Sequence, residues 1–249
     1  MNLLLLEPEE LQAGGEVRLA DHRARHLRQV LGVAPGATVR AGVVGGARGK
    51  AHVLALEGDA VQLRLELDEP PTPEPSPRLE LLLALPRPKV LRRLVYSLAA
   101  LGVSRLDLCA AWRVEKSYFQ SPFLEPAALR AELVRGAELA GVTRLPEVAV
   151  HPLLVPYLDA LAPAAEGERR VLAHPGARTE LAALTPLAGA RCVRAAIGPE
   201  GGWIATELAS LEAAGFTPVS LGPRVLSSEL AVPYLVGQLQ LLARAAEKP

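Results

Sequence analysis

The hydrophobic positions of this chain keep one rhythm up to about residue 70 and another after residue 79. In the first part, short apolar runs are broken by turn signals: TVRAGVV, then GGARGK, then AHVLALEG, then AVQLRLEL. In the last of these, Val61, Leu63, Leu65 and Leu67 alternate with Gln62, Arg64, Glu66 and Asp68, the period-two pattern of a strand with one buried face. DHRARHLRQVLG differs, because His26, Leu27, Val30 and Leu31 make a helical stripe and Gly32 suits its stop. The pattern predicts a small β-barrel carrying one helix over residues 1–70.

Residues 69–78, EPPTPEPSPR, hold five prolines. Proline neither donates to a ladder nor continues a helix, so a stiff connector is expected over 71–78. Beyond it, apolar runs recur at Leu79–Leu85, Leu106–Ala110, Val148–Val150, Val171–Ala173, Val193–Ile197 and Val219–Leu221. Helical stretches such as KVLRRLVYSLAALG and PAALRAELVRGAELAG separate them, with Leu129, Leu133 and Ala137 repeating on one face. This alternation predicts an α/β domain over 79–249, with a parallel sheet covered on both faces.

Composition narrows the picture. Half of the 249 residues are apolar, and Gly and Pro follow no period, which suits a globular protein. The apolar runs fall short of the roughly 20 residues a membrane helix needs, and no secretory signal is evident at the start. Cys109 and Cys192 sit inside apolar runs, as buried thiols of a cytoplasmic protein would, and no Cys/His group has metal-ligand spacing. The net charge of zero hides an asymmetry: Val17 to Lys50 holds seven Lys/Arg against Asp21, and Leu54 to Glu80 holds seven acids against Arg64 and Arg78. The basic excess, with His22 and His26 interleaved, is either a phosphate-holding surface or a solvated face.

Ligands in open parallel sheets bind at the carboxyl ends of strands. Three such ends carry unusual residues: VLAHPGA, IGPEGG and VSLGPRVLSSELA. Each glycine permits close backbone approach and each proline stiffens the bend beside it. Together these bends make a pocket walled by backbone groups, suited to a flat heterocycle with a polar tail; taken singly, each is an ordinary βα turn. A triphosphate fits poorly, since the P-loop Lys-Ser/Thr and the dinucleotide fingerprint are absent.

IGPEGGW, with HP upstream and LGPRVLSSELA downstream, resembles the RsmE family of 16S ribosomal RNA uracil-N3 methyltransferases in the SPOUT superfamily. RHLRQVLGVAPGA is similar to its N-terminal signature, and ALPRPK followed by LGVSRL to the start of its catalytic domain. The resemblance implies a PUA-like RNA-binding barrel, then an α/β domain with a C-terminal trefoil knot that binds S-adenosyl-L-methionine and forms a homodimer. It implies cofactor contacts at Leu172, His174, Pro175, Ile197, Gly198, Glu200, Gly201, Gly202, Leu221, Gly222 and Leu226. Glu200 has a second reading, as a cap for amides near the following helix. Arg224 would stabilise charge developing on a uracil ring, and Glu229 would orient that arginine or accept the N3 proton. A surface ion pair and a helix N-terminal carboxylate are the plainer roles for these two.

Arg23, Arg25, Arg28, Arg40 and Lys50 become candidate phosphate contacts on ribosomal RNA, with Arg87 and Lys89 near the active edge. The apolar stripe in LAVPYLVGQLQLLARAA either meets a second copy or buries itself within one chain. The chain departs from the family pattern at Gly32, Ser97, Ala100, Leu139, Val142, Ile204, Ser227 and Leu230, mostly by exchanging polar for apolar or small groups. Those exchanges leave two further expectations open: an RNA-binding protein of this superfamily with weak or lost catalysis, or a methyltransferase acting at another RNA position.

Overall fold

The computed structural model describes residues 2–183, 187 and 189–246, so residues 184–186, 188 and 247–249 of the expected second domain lie outside the described residues. Two compact units are present, Met1–Pro73 with Val134–Leu145, and Glu74–Leu133 with Pro146–Pro249.

The first unit contains β1 (Leu4–Leu6), β2 (Glu16–Leu19), α1 (His22–Gln29), β3 (Thr38–Val43), β4 (Arg48–Glu57) and β5 (Ala60–Glu69). They form one sheet in the order β1-β3-β4-β5-β2, antiparallel except between β1 and β3. The alternation read in β5 has its physical cause here: Val61 and Leu63 point into a core with Leu4, Leu6, Val17, Leu19, Leu27 and Val53. The opposite side of β1, Leu3 and Leu5, is covered by Ala137 with Val134, Val142 and Leu145. That cover explains why residues 134–145 belong to this unit. Glu138, also buried here, accepts the Leu5 N–H at 3.3 Å, and burial pushes its carboxyl above the ordinary range.

Helix α1 starts where the Asp21 carboxylate accepts the Arg23 N–H at 2.8 Å. The stripe expected along it is shorter than the sequence suggests. Ala24 and Leu27 are buried, whereas Val30 and Leu31 lie past the helix end and are exposed.

The second unit runs β6 (Arg78–Ala84), α2 (Pro88–Ala100) and β7 (Arg105–Cys109), then the first half of α3 (Pro126–Ala140). It continues with β8 (Glu147–His151), α4 (Leu154–Asp159), β9 (Glu168–Ala173), β10 (Cys192–Ile197), α5 (Ala205–Ala213), β11 (Thr217–Val219) and α6 (Ser228–Ala246). All six strands are parallel, in the order β11-β9-β10-β6-β7-β8. Both faces are covered, so β6 is apolar and buried along nearly its whole length rather than alternating. Leu82, Ala84, Cys109, Leu172 and Ala196 on one face pack with Leu154 and Leu158 of α4 and Leu211 of α5. The other face meets α6, which also packs on α2. Among the described residues no helix is long and apolar enough to cross a membrane.

One feature of this sheet is not apolar. Arg170, Arg194, Glu80, Arg105 and Glu147 stand side by side on five successive strands. Asp107, fully buried beside them, is bound by Arg105 at 2.9 Å and by His151 Nε2 at 2.7 Å, and accepts from Tyr157 Oη at 3.2 Å. Burial alone would raise its pKa, but the hydrogen bonds from Arg105 and His151 outweigh that and hold the carboxyl below 3.8. Burial next to Asp107 pushes the Tyr157 hydroxyl up to about 12. The Cys109 thiol is pushed up by burial too, so the thiolate is scarcely accessible.

Candidate functional site

Because β9, β10 and β11 are parallel and in register, with Ala173 beside both Ile197 and Val219, the bends after them emerge at one sheet edge. They enclose a cavity of about 340 Å³. That volume is in the range of small-molecule sites.

Ten of the eleven positions expected to contact a cofactor line it: His174, Pro175, Ile197, Gly198, Glu200, Gly201, Gly202, Leu221, Gly222 and Leu226. Leu172 does not. It precedes the last residue of β9, and its fully buried side chain packs in the core with Leu82 and Ala196, while Ala173 reaches the cavity. The alternation of strand side chains separates the two neighbours.

The glycines have distinct physical reasons. Gly202 sits at φ +75° and Gly222 at φ +117°, backbone regions closed to most side chains. Gly198 has an ordinary φ but no room, since a Cβ there would lie 2.9 Å from Cδ1 and Nε1 of Trp203. The bend is closed by a hydrogen bond from Gly202 N–H to Pro199 O at 2.8 Å. Trp203 is itself buried, and its indole Nε1–H finds no acceptor among the described residues.

The carboxylates are arranged differently from the sequence readings. Among the described residues Glu200 caps no amide; its carboxylate pairs with Arg87 at 3.2 Å while the residue lines the cavity. The cap is Glu207, three residues into the helix, which accepts the Ile204 N–H at 3.0 Å and the Trp112 N–H at 2.7 Å. It makes the half of a capping box that comes from the third helical residue; the half a serine at position 204 would make, accepting an amide of the first turn, is missing. Glu229 does not line the cavity and does not reach Arg224: Arg93 holds its carboxylate at 2.7 and 2.9 Å. Arg224 does line the cavity.

Sequence reading missed Arg113. Its guanidinium donates to the carbonyl oxygen of Gly201, and its side chain lines the cavity. Eighty-eight residues separate the two, and no local motif announces the contact. Trp203, Pro199 and Ser228 also line the cavity. The first two lay inside or beside the glycine motif, which was the available signal.

The candidate RNA contacts divide. Arg23 is a structural residue: its side chain is only 12% exposed, and it donates to Glu10, Asp21 and the Leu5 carbonyl. Arg28 pairs with Asp59 at 3.3 Å. Arg25, Arg40 and Lys50 are exposed, and the last two are direct neighbours across β3 and β4. In the second unit Arg87 and Lys89 are exposed at the edge that carries the cavity.

A family model described as an RNA methyltransferase domain matches residues 72–240. The chain is 30% identical over 238 residues to the ribosomal RNA small subunit methyltransferase E of Treponema pallidum (strain Nichols), covering 93% of this chain and 87% of the relative. It is 23% identical to the ribosomal RNA small subunit methyltransferase E 1 of Borreliella burgdorferi (strain ATCC 35210 / DSM 4680 / CIP 102532 / B31), covering 93% and 94% of the two chains. Among solved structures, a ribosomal RNA small subunit methyltransferase E from Neisseria gonorrhoeae bound to S-adenosyl methionine superposes with a TM-score of 0.78 at 22% identity, over 97% of this chain and 98% of that one. A methyltransferase from Legionella pneumophila with bound SAM gives 0.77 at 21% identity, over 96% and 97%.

Proposed function

Given that this chain belongs to the RsmE family of RNA methyltransferases, we propose that it uses S-adenosyl-L-methionine to methylate N3 of a uridine in 16S ribosomal RNA. The observation that carries this reading is the convergence of three glycine-relaxed bends on one cavity. Gly198, Gly201, Gly202 and Gly222 bring bare backbone to a wall shared with the apolar side chains of Ile197, Trp203, Leu221 and Leu226, a lining that a nucleoside with an amino-acid tail fits.

When bound, the cofactor supplies an electrophilic methyl group on a sulfonium. The protein's own contribution is alignment and electrostatics. Holding the two reactants in line removes much of the entropic part of the barrier. Arg224, at the cavity wall, would stabilise the negative charge left on the uracil ring when its N3 proton passes to solvent water. Arg113 fixes the Gly201 carbonyl and with it the shape of the bend. Glu229 acts as a tether for Arg93 rather than as the group that orients Arg224.

The finer architecture belongs to the same proposal. The C-terminal region of the second unit forms a trefoil knot around the three bends, and the first unit is a PUA-like barrel that holds RNA through Arg25, Arg28, Arg40 and Lys50, aided by Arg87 and Lys89. The protein works in the cytoplasm as a homodimer. In its support, Leu230, Tyr234 and Leu241 share one face of α6 and are exposed, while Val232, Leu235, Val236 and Leu239 are buried. Calorimetric titration with S-adenosyl-L-methionine, followed by mass mapping of ribosomal RNA from a deletion strain, tests the reading. A cofactor complex and loss of one N3-methyluridine are expected. An unaltered N3-methyluridine content refutes the assignment.

A further inference from the structure

Trp112 stands in the loop that follows β7, and the methyl transfer described above makes no use of it. It is 79% exposed, the most exposed aromatic side chain among the described residues, whereas Trp203 is 5% exposed. A single exposed apolar side chain is ordinary, but this one offers a large, rigid aromatic face beside the mouth of the cavity.

The loop beneath it is not loose. The Ala110 N–H donates to the His151 carbonyl at 3.2 Å, the Val114 N–H to the Ala111 carbonyl at 2.9 Å, and the Trp112 N–H to the buried Glu207 carboxylate at 2.7 Å. Glu207 also holds the first amide of the segment leading into α5, so one carboxylate ties the Trp112 backbone to the chain just past the glycine bend. The next residue, Arg113, reaches the Gly201 carbonyl and the cavity wall. A free ring on a fixed stem loses little conformational entropy on binding.

Cations outnumber acids around it. Arg113 and Lys116 follow Trp112 closely in the chain, against one acid, Glu115, and Glu200 pairs with Arg87. Arg87 and Lys89 follow β6, whose last residue, Ala84, pairs with Cys109 at the end of β7. Arg224 lines the cavity that Arg113 lines. An aromatic face among cations at an opening is the arrangement that takes unpaired nucleobases and their phosphates.

We propose that Trp112 is a stacking residue for the RNA substrate, taking a nucleobase that flanks the one presented to the cavity. The proposal rests on the RNA methyltransferase reading and adds to it the residue that positions the strand. A second copy of the chain is the less favoured occupant. A two-fold contact centred on Trp112 would gather two copies each of Arg113 and Lys116 against two of Glu115, a net like-charge excess.

The test compares Trp112→Ala and Trp112→Phe with the unaltered full-length protein, using small-subunit ribosomal RNA from a strain lacking the protein. Stacking on one aromatic side chain corresponds to roughly a tenfold to hundredfold change in RNA affinity. Trp112→Ala is expected to raise KM for RNA by about that factor, with cofactor affinity and melting temperature unchanged. Trp112→Phe, which keeps a π-face, recovers most of the loss. The tryptophan emission that Trp112→Phe removes is quenched in the unaltered protein when RNA is added. A KM for Trp112→Ala within about twofold of the unaltered protein overturns the proposal. So does a Trp112→Ala variant that dissociates a dimer while each protomer binds RNA as before. If the unaltered protein transfers no methyl group to the RNA, the functional reading itself fails; if it does and Trp112→Ala matches it, stacking alone fails.

Discussion

Replacing Gly198 by alanine isolates the close approach that shapes the cavity. The new methyl would lie 2.9 Å from Cδ1 and Nε1 of Trp203 and 3.2 Å from Cε2. Backbone strain is not at issue, because Gly198 is not among the positive-φ glycines. On its core side the indole is confined by a buried cluster with Leu82, Ala84, Cys109, Leu172, Ala196 and Phe216, so it can yield only toward the cavity it lines. Overpacking of this kind costs about 1–3 kcal/mol, and part of the displacement is passed to the bend that forms the cavity wall. Gly198→Ala should therefore lower stability by that amount in urea denaturation and weaken cofactor binding in calorimetry. Trp203→Ala alone should cost about 3–5 kcal/mol by leaving a void. In that background the alanine methyl at 198 enters empty space, so Gly198→Ala becomes neutral or stabilising. The double-mutant cycle is the decisive measurement. If Gly198→Ala costs the same with and without the indole, the packing account of this glycine is wrong.

Other outcomes follow from the same geometry. Asp107→Asn should cost about 3–5 kcal/mol near neutral pH, because Arg105 and His151 lose a buried anion. Since the folded-state carboxyl titrates below 3.8, its contribution is complete above about pH 4 and is lost as pH falls through the lower folded value; the variant's stability should be flatter over that acid range. Arg23→Ala should destabilise the first unit by roughly 3 kcal/mol without changing the salt dependence of RNA binding. Alanine at Arg25, Arg40 or Lys50 should each lower the salt slope by about one and leave stability alone. Arg224→Ala should lower kcat about a hundredfold with little effect on cofactor affinity. Glu229→Gln should lower it less than about tenfold, because Arg93 already occupies that carboxylate.

Strand and helix alternation was legible because burial on two faces leaves contiguous apolar runs, as in β6, and burial on one face leaves alternation, as in β5. The cavity was legible because its wall is built from consecutive glycines and prolines, a local signal. Long-range partners were not. Arg23 and Arg25 look alike in sequence, and only the position of Glu10 makes the first structural. Arg113 meets Gly201 across the sheet edge, and Leu172 differs from Ala173 only in side-chain direction. Helical periodicity in α3 shows which residues share a face, not that Ala137 covers Leu3 and Leu5.

The band of ionised groups across the parallel sheet bears on how that sheet is assembled. Its members come from positions as distant in the chain as Glu80 and Arg194, yet they meet at 2.6 Å. Sliding any one strand by a single residue would swing its charge into the apolar layer on the reverse side. Moving β6 away from β10 would part Arg194 from Glu80 and leave it beside Arg170, with Glu168 the acid they share. Greasy segments rich in Leu, Val and Ala stick together indiscriminately; these few ions favour one register for the strands whose carboxyl ends must converge before any cavity exists.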